Sequence, residues 1–151
     1  MTGTGKVTRL LAASLLLSLA LCACRQTPDE EQIRQAIAAV SSAAEAGSAS
    51  GVVEPLSEDF DGNDGQLDRR ALGNMMRLVK LRGQHVGVTI GPIAIEHRGE
   101  RIVATFTAGL SSGSGGLLPS ELGFYRVETA WRQEDGDWRC YSASWKRAVA
   151  G

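Results

Sequence analysis

The stretch WRQEDGDWRCYSASW, residues 131–145, restricts the fold more than any other, because two alternating apolar–polar runs meet there at Asp135-Gly136. A two-residue Asp-Gly connection takes positive φ at both positions and matches the twist of an antiparallel pair, so it sets a hairpin and its register. Pairing outward from the turn places Gln133 opposite Trp138, Trp131 opposite Cys140, Thr129 opposite Ser142 and Val127 opposite Ser144. The strands, Phe124 to Glu134 and Trp138 to Lys146, then divide into two faces. Tyr125, Val127, Trp131, Trp138 and Cys140 share one. Ala130, Tyr141, Ala143 and Trp145 share the other, alongside Arg126, Glu128, Arg132 and Arg139.

Upstream the alternation recurs. In His85 to Ile90, the residues Val86, Val88 and Ile90 take one phase and His85 the other. Gly91-Pro92 reads as a bulge or bend, since proline has no N–H for a ladder, and Ile93 to Glu96 resumes the pattern. An Arg98-Gly99 turn leads into Arg101 to Leu110, pairing Glu96 with Arg101 and Ile95 with Ile102. One face thereby collects Ile93, Ile95, Ile102, Ala104, Phe106 and Ala108. The glycine-rich run from 109 to 116, continued by Leu117, Leu118 and Pro119, reads as a flexible hairpin tip and lacks the Gly-Lys-Ser/Thr of a phosphate loop. Its alternative role is a mobile lip of a pocket.

The first half of the chain has a different period. Thr27 reads as an N-cap, Pro28 as the first helical residue and Glu30 as the capping-box partner, with Asp29 and Glu31 favoured by the helix dipole. Ile33, Ala36, Ile37, Val40 and Ala44 recur at helical spacing and Gly47 stops the run. Residues 51–56 (GVVEPL) read as a short helical turn or two. A second long helix begins at about Asp68, carries Leu72, Met75, Met76 and Val79 on one face, and ends at Gly83. Between them, DFDGNDGQLDRR places acids at the first and third positions of a calcium loop and Asn63 at the fifth. Its sixth position is Asp64 instead of Gly and its twelfth is Arg70 instead of Glu, so the tight turn and the bidentate ligand are both missing. The segment reads as an Asx-rich turn with Asp68 as N-cap, and no metal is expected.

Lys6 and Arg9 precede an apolar run from residue 10 to 21, broken by Ser14 and Ser18. The run is too short to span a hydrocarbon core of roughly 30 Å as a helix and has the size of a signal-peptide core. Leu21-Cys22-Ala23-Cys24 looks like the lipobox of bacterial lipoproteins, which implies cleavage after residue 23 and acylation of Cys24. The alternative is an ordinary secretory signal with incidental cysteines. The expected organisation is signal peptide 1–23, lipidated Cys24 with a tether to residue 27, and one domain over 28–147. Two or more acyl chains anchor stably where one does not. Residues 25–27 reach roughly 10 Å when extended, so the membrane is the first expected partner. Arg25, in place of an acidic retention residue, points to the outer membrane, with the domain facing the periplasm.

Composition narrows the partners. Cleavage removes Lys6 and Arg9 from the chain's 16 basic residues and none of its 17 acids, leaving an acidic domain. No basic patch with interleaved aromatics suggests nucleic acid. Cys140 is left without an internal disulfide partner and reads as a small buried hydrophobe.

Two helices followed by a curved antiparallel sheet is the order of an α+β cone. The helix at 28–46, the LSEDFDG segment at 56–62, the helix around Leu72 to Leu81 and the closing 131–145 stretch carry a likeness. On these, Asp29 to Trp145 resembles a nuclear transport factor 2-like (SnoaL-like, cystatin-like) domain. The resemblance implies N-terminal helices packed on a curved antiparallel sheet, a conical pocket between the two, and often a homodimer formed through the sheet. It implies no single activity, because the fold hosts enzymes and non-catalytic binders.

Enzymes of this fold use Asp, His or Tyr on the cavity wall, in a dry site that moves the pKa toward the working pH. The catalytic candidates are Asp59, Tyr125 and His85, with His97 at a hairpin end; both histidines are expected to face solvent. Phe106, Tyr125, Trp131, Trp138 and Cys140 are the ligand-pocket candidates. Tyr141 and Trp145, ringed by Arg126, Arg132 and Arg139, form an interface candidate, since interfaces favour aromatics and arginine. The alternative is that this face packs under the chain's own termini or loops. No defensible His–Asp pair is visible and no cofactor is expected. The leading expectation is a periplasm-facing lipoprotein whose domain binds a small apolar ligand or a protein partner without catalysis. The alternatives are a lipid-anchored isomerase or hydratase and a structural subunit of an envelope complex.

Overall fold

A 17-residue helix, α1 (Asp29–Glu45), opens the structure, a computed structural model that describes residues 28–113 and 121–148. The signal segment, Cys24 and its tether, and most of the glycine-rich tip with Leu117, Leu118 and Pro119 lie outside those residues. Helix α1 begins one residue later than expected, with Pro28 in the N-cap position and no side-chain cap. Glu30, expected to close a capping box, instead places Oε1 3.1 Å from His97 Nε2. Gly47, at φ 65°, ends the helix as the sequence requires, and the Ser48 amide donates back to Ala43 O at 2.8 Å.

The short helix α2 (Ala49–Val53) follows, capped by the Ser48 hydroxyl. Next comes a strand, β1 (Leu56–Gly62), where the sequence suggested a helical turn and a loop. β1 shows no strict alternation, and it pairs in parallel with the last strand across an irregular register. A turn with left-handed Asn63 and Asp64 leads to the two-residue β2 (Leu67–Asp68) and then to α3 (Arg69–Leu81). Asp68 caps α3 by accepting the Ala71 amide at 2.7 Å, and Gly83 at φ 64° ends it.

The strands β3 (His85–Ile90), β4 (Ala94–Arg98), β5 (Arg101–Gly113), β6 (Glu121–Glu134) and β7 (Asp137–Arg147) complete one sheet, ordered β2-β1-β7-β6-β5-β3. β4 continues the line of β3 along β5 after the break at Gly91-Pro92. Arg98 pairs with Arg101, so the turn is Gly99-Glu100 and Ile95 lies opposite Ala104 instead of Ile102. A register shift of two residues keeps every side chain on its expected face.

The closing hairpin turns at Asp135-Gly136, with φ of 52° and 87°. Its expected register holds for Gln133↔Trp138 and Trp131↔Cys140, then shifts by one residue at Tyr141. Beyond that bulge Thr129 pairs with Ala143 and Val127 with Trp145, so Ala143 and Trp145 exchange faces relative to expectation. Ile33 and Ile37 of α1 cover the inner face, meeting Phe60, Ile102, Phe106 and Trp131. The polar groups in this core are satisfied: Trp131 Nε1 donates to Thr129 Oγ1 at 2.8 Å, and Thr129 donates to Ala104 O at 3.3 Å. Among the described residues no helix is long and apolar enough to cross a membrane.

Candidate functional site

Strand register builds the site on the inner face, beyond the part that α1 covers. Phe106 on β5 lies opposite Val127 on β6, and Val127 lies opposite Trp145 on β7. One step along, Ala108 lies opposite Tyr125. Phe106 and Ala108 are buried, whereas Tyr125, Val127 and Trp145 are half-buried. This is the accessible apolar end of the inner face.

Two glycines shape it. The Trp145 ring lies against Gly62, where a Cβ would come 3.0 Å from the ring and 2.9 Å from Leu67 O. Asn63 holds the same tryptophan by its backbone, accepting its amide at 2.8 Å and donating to its carbonyl at 3.4 Å. Tyr125 lies over Gly123, where a Cβ would come 2.8 Å from the ring. Its hydroxyl has no hydrogen-bond partner among the described residues. Val127, Gly62 and Asn63 are not among the site residues that the sequence points to. The glycine and asparagine of DFDGN were the available signal, read there as part of a turn.

The other pocket candidates are occupied elsewhere. Trp131 and Cys140 are 2 % exposed and belong to the core. Burial pushes the Cys140 thiol up to about 12, and it donates to Ser142 O at 3.3 Å. Trp138 is half-buried at the start of α1, its Nε1 donating to Asp29 Oδ1 at 3.0 Å.

The acid–base candidates do not converge. Asp59 stands on the opposite, outer side of the sheet, exposed, where Arg132 Nη2 reaches its Oδ1 at 2.6 Å. The Ser57 hydroxyl donates to the same carboxylate, and with Arg132 it holds the Asp59 carboxyl below the ordinary value of 3.8. His85 pairs with Gly113 at the sheet's edge strand, exposed and out of phase with Val86 and Val88. His97 is exposed at the β4 end beside Glu30. Tyr125 alone of these candidates lies on the inner face.

The outer face carries charge rather than apolar area. Arg132 sits 5.0 Å from the Tyr141 ring centroid and also pairs with Glu134 at 2.7 Å. Arg101 donates to the Tyr141 hydroxyl at 3.3 Å. Arg139 bonds the Glu54 backbone carbonyl and pairs with its carboxylate at 3.3 Å. Arg126 is exposed opposite Lys146. Tyr141 and three arginines therefore stay on this face, but Trp145 does not, and the expected patch loses its second aromatic. In the DFDGN loop, Asp61 Oδ1 accepts the Gly65 amide at 2.6 Å, so that oxygen serves the backbone turn.

A third feature lies apart. An open cleft of about 650 Å³ is lined by Val53, Glu58, Arg69, Gly73, Asn74 and Arg77. Within it Arg69 donates to Val53 O at 3.2 Å and pairs with Glu58 at 2.7 Å.

No family model matches the chain, and no curated protein matches it significantly in sequence. Solved structures do match. A putative dehydratase of the NTF2-like family from Streptomyces avermitilis superposes with a TM-score of 0.65 and 16% identity, covering 82% of this chain and 100% of its own. An NTF2-like protein with a cystatin-like fold from Novosphingobium aromaticivorans gives 0.65 at 19% identity, over 99% of this chain and 94% of its own. Aln2 from a Streptomyces species gives 0.68 at 12% identity, over 81% and 93%. The fold is NTF2-like. At these identities the likeness reaches the architecture and no further. In this NTF2-like domain the cone's floor is filled by Ile33, Phe60, Phe106 and Trp131, and its accessible rim carries Tyr125, Val127 and Trp145.

Proposed function

We propose that this NTF2-like domain is the binding module of a lipid-anchored envelope protein facing the periplasm, and that it binds an apolar ligand without turning it over. The observation that carries the reading is the separation of its ionisable candidates. Asp59 is an ion-paired carboxylate on the outer side and His85 an exposed edge residue, while Tyr125, Val127 and Trp145 form an apolar inner rim. Proton transfer needs an acid and a base within hydrogen-bond reach of one reacting group. Lodging a hydrophobic molecule needs apolar area with a few polar groups to orient it, and the Tyr125 hydroxyl is free to do so.

The anchor follows from Leu21-Cys22-Ala23-Cys24, and the outer membrane from Arg25 at the position after the acceptor. The test is mass spectrometry of protein extracted natively from membranes. A diacylated Cys24 and a co-purifying small molecule lost on Trp145→Ala are expected. An unmodified Cys24 sinks the anchor, and a molecule retained by Trp145→Ala sinks the rim. A lyase or isomerase reading rests on Tyr125 as a lone acid, and turnover that disappears in Tyr125→Phe would replace the binding reading with it.

A further inference from the structure

Helix α3 carries more apolar surface than the fold covers. Gly73 and Met76 point inward and are buried, while Leu72 and Val79 are half-buried. Met75, Leu78 and Leu81 are 47%, 45% and 84% exposed, and with Ala71 they follow helical spacing along one solvent-facing stripe. The stripe is flanked by cations. Arg69, Arg70, Arg77, Lys80 and Arg82 fall within the segment from Arg69 to Arg82, which contains no Asp or Glu, in a chain with 16 basic and 17 acidic residues overall. Arg69 is spent on Glu58, and Arg77 donates to Asn74 at 2.9 Å. Arg70, Lys80 and Arg82 make no ion pair among the described residues.

From this geometry we infer that α3 is an interfacial helix that lies on an anionic lipid surface, with Met75, Leu78 and Leu81 entering the headgroup boundary. A helix of this kind binds by the sum of its buried apolar area and the attraction of flanking cations for anionic headgroups. A protein interface core would be poor in charge. The stripe here is bordered by unpaired positive charge on a domain that is otherwise acidic, which complements a phosphate surface and repels a second copy's matching stripe. The inference leans on the anchored reading for proximity to a bilayer, and the docking itself rests on α3.

The test uses the mature protein extracted from membranes, with Leu81→Cys carrying a polarity-sensitive dye at position 81. The core buries Cys140 and acylation blocks Cys24, so the dye reports from α3 alone. After reconstitution, vesicles containing phosphatidylglycerol should shift the emission to the blue and allow quenching by lipid-borne quenchers, while pure phosphatidylcholine vesicles should not. The combined charge reversal Arg70→Glu, Arg77→Glu, Lys80→Glu should abolish the shift, with about fivefold weaker docking per cation removed at low salt. The same emission in both vesicle types, or a shift that survives charge reversal, overturns the proposal. So does a shift that appears on concentrating the protein without lipid, which would assign the stripe to a second copy. Intact mass reads the acylation of Cys24 separately, so failure of the anchor and failure of the docking are distinguishable.

Discussion

Trp131 and Arg132 are neighbours in the chain and opposites in the fold. Trp131 is 2 % exposed on the inner face, its ring among Ile33, Ile102 and Cys140 and its Nε1 bonded to Thr129. Arg132, on the outer face, is half-exposed and shared between Asp59, Glu134 and the Tyr141 ring. One face of the sheet is held by apolar area removed from water, the other by ion pairs that water screens. The strands are the same, so the difference is one of parity along the pleat. A single extra residue at Tyr141 reverses that parity and carries Trp145 from the charged face to the apolar one. What looks like an interface aromatic in an unbroken ladder becomes a rim residue of the cone.

Breaking the inner face should have the largest effect. Trp131→Ala leaves a cavity in the core and removes the indole N–H that Thr129 accepts, and should cost about 3–5 kcal/mol in urea unfolding. A loss below about 1 kcal/mol would show that the inner face is not the dominant source of stability. Next comes the seat of Trp145. Gly62→Ala should cost about 1–3 kcal/mol by overpacking against Leu67 O and the indole. Adding Trp145→Ala should recover part of that loss, because one of the two crowded partners is gone. Strictly additive losses would place Trp145 away from Gly62.

The smallest effect belongs to the outer face. Asp59 titrates below the ordinary 3.8 because Ser57 and Arg132 stabilise its charged form. Its contribution is therefore fully present above pH 3.8 and fades as pH falls through the lower folded value. Arg132→Gln should move the Asp59 carboxyl upward, read by carbon NMR of the side chain, and flatten the acid-side loss of thermal stability. An unchanged Asp59 titration would mean that the pair is not formed in solution.

Much of the fold was legible because its signals act locally. Asp68 caps α3 with its own carboxylate, Gly47 and Gly83 supply the left-handed stops, and Gly91-Pro92 breaks the edge strand where the N–H is missing. The apolar face of β5, from Ile102 to Ala108, survived an error of two residues in the neighbouring turn. The site was less legible. Trp131 and Cys140 have the phase of pocket residues, yet α1 settles on them and they become core. Asp59 has the chemistry of a cavity acid, but the parallel entry of β1 turns it toward Arg132.

The sequence by itself determined the two long helices and the order of the antiparallel strands. It also determined the closing turn, since Asp135-Gly136 needs no distant partner to adopt positive φ. Tertiary structure alone decided the parallel pairing of β1 with β7, the bulge at Tyr141 and the amount of α3 left bare. Where β1 meets β7, Leu56 pairs with Cys140 and Asp61 with Ser142, so five residues of one strand advance against two of the other. That mismatch arises between segments about eighty residues apart, where loop closure and packing set the register and local propensity has no leverage.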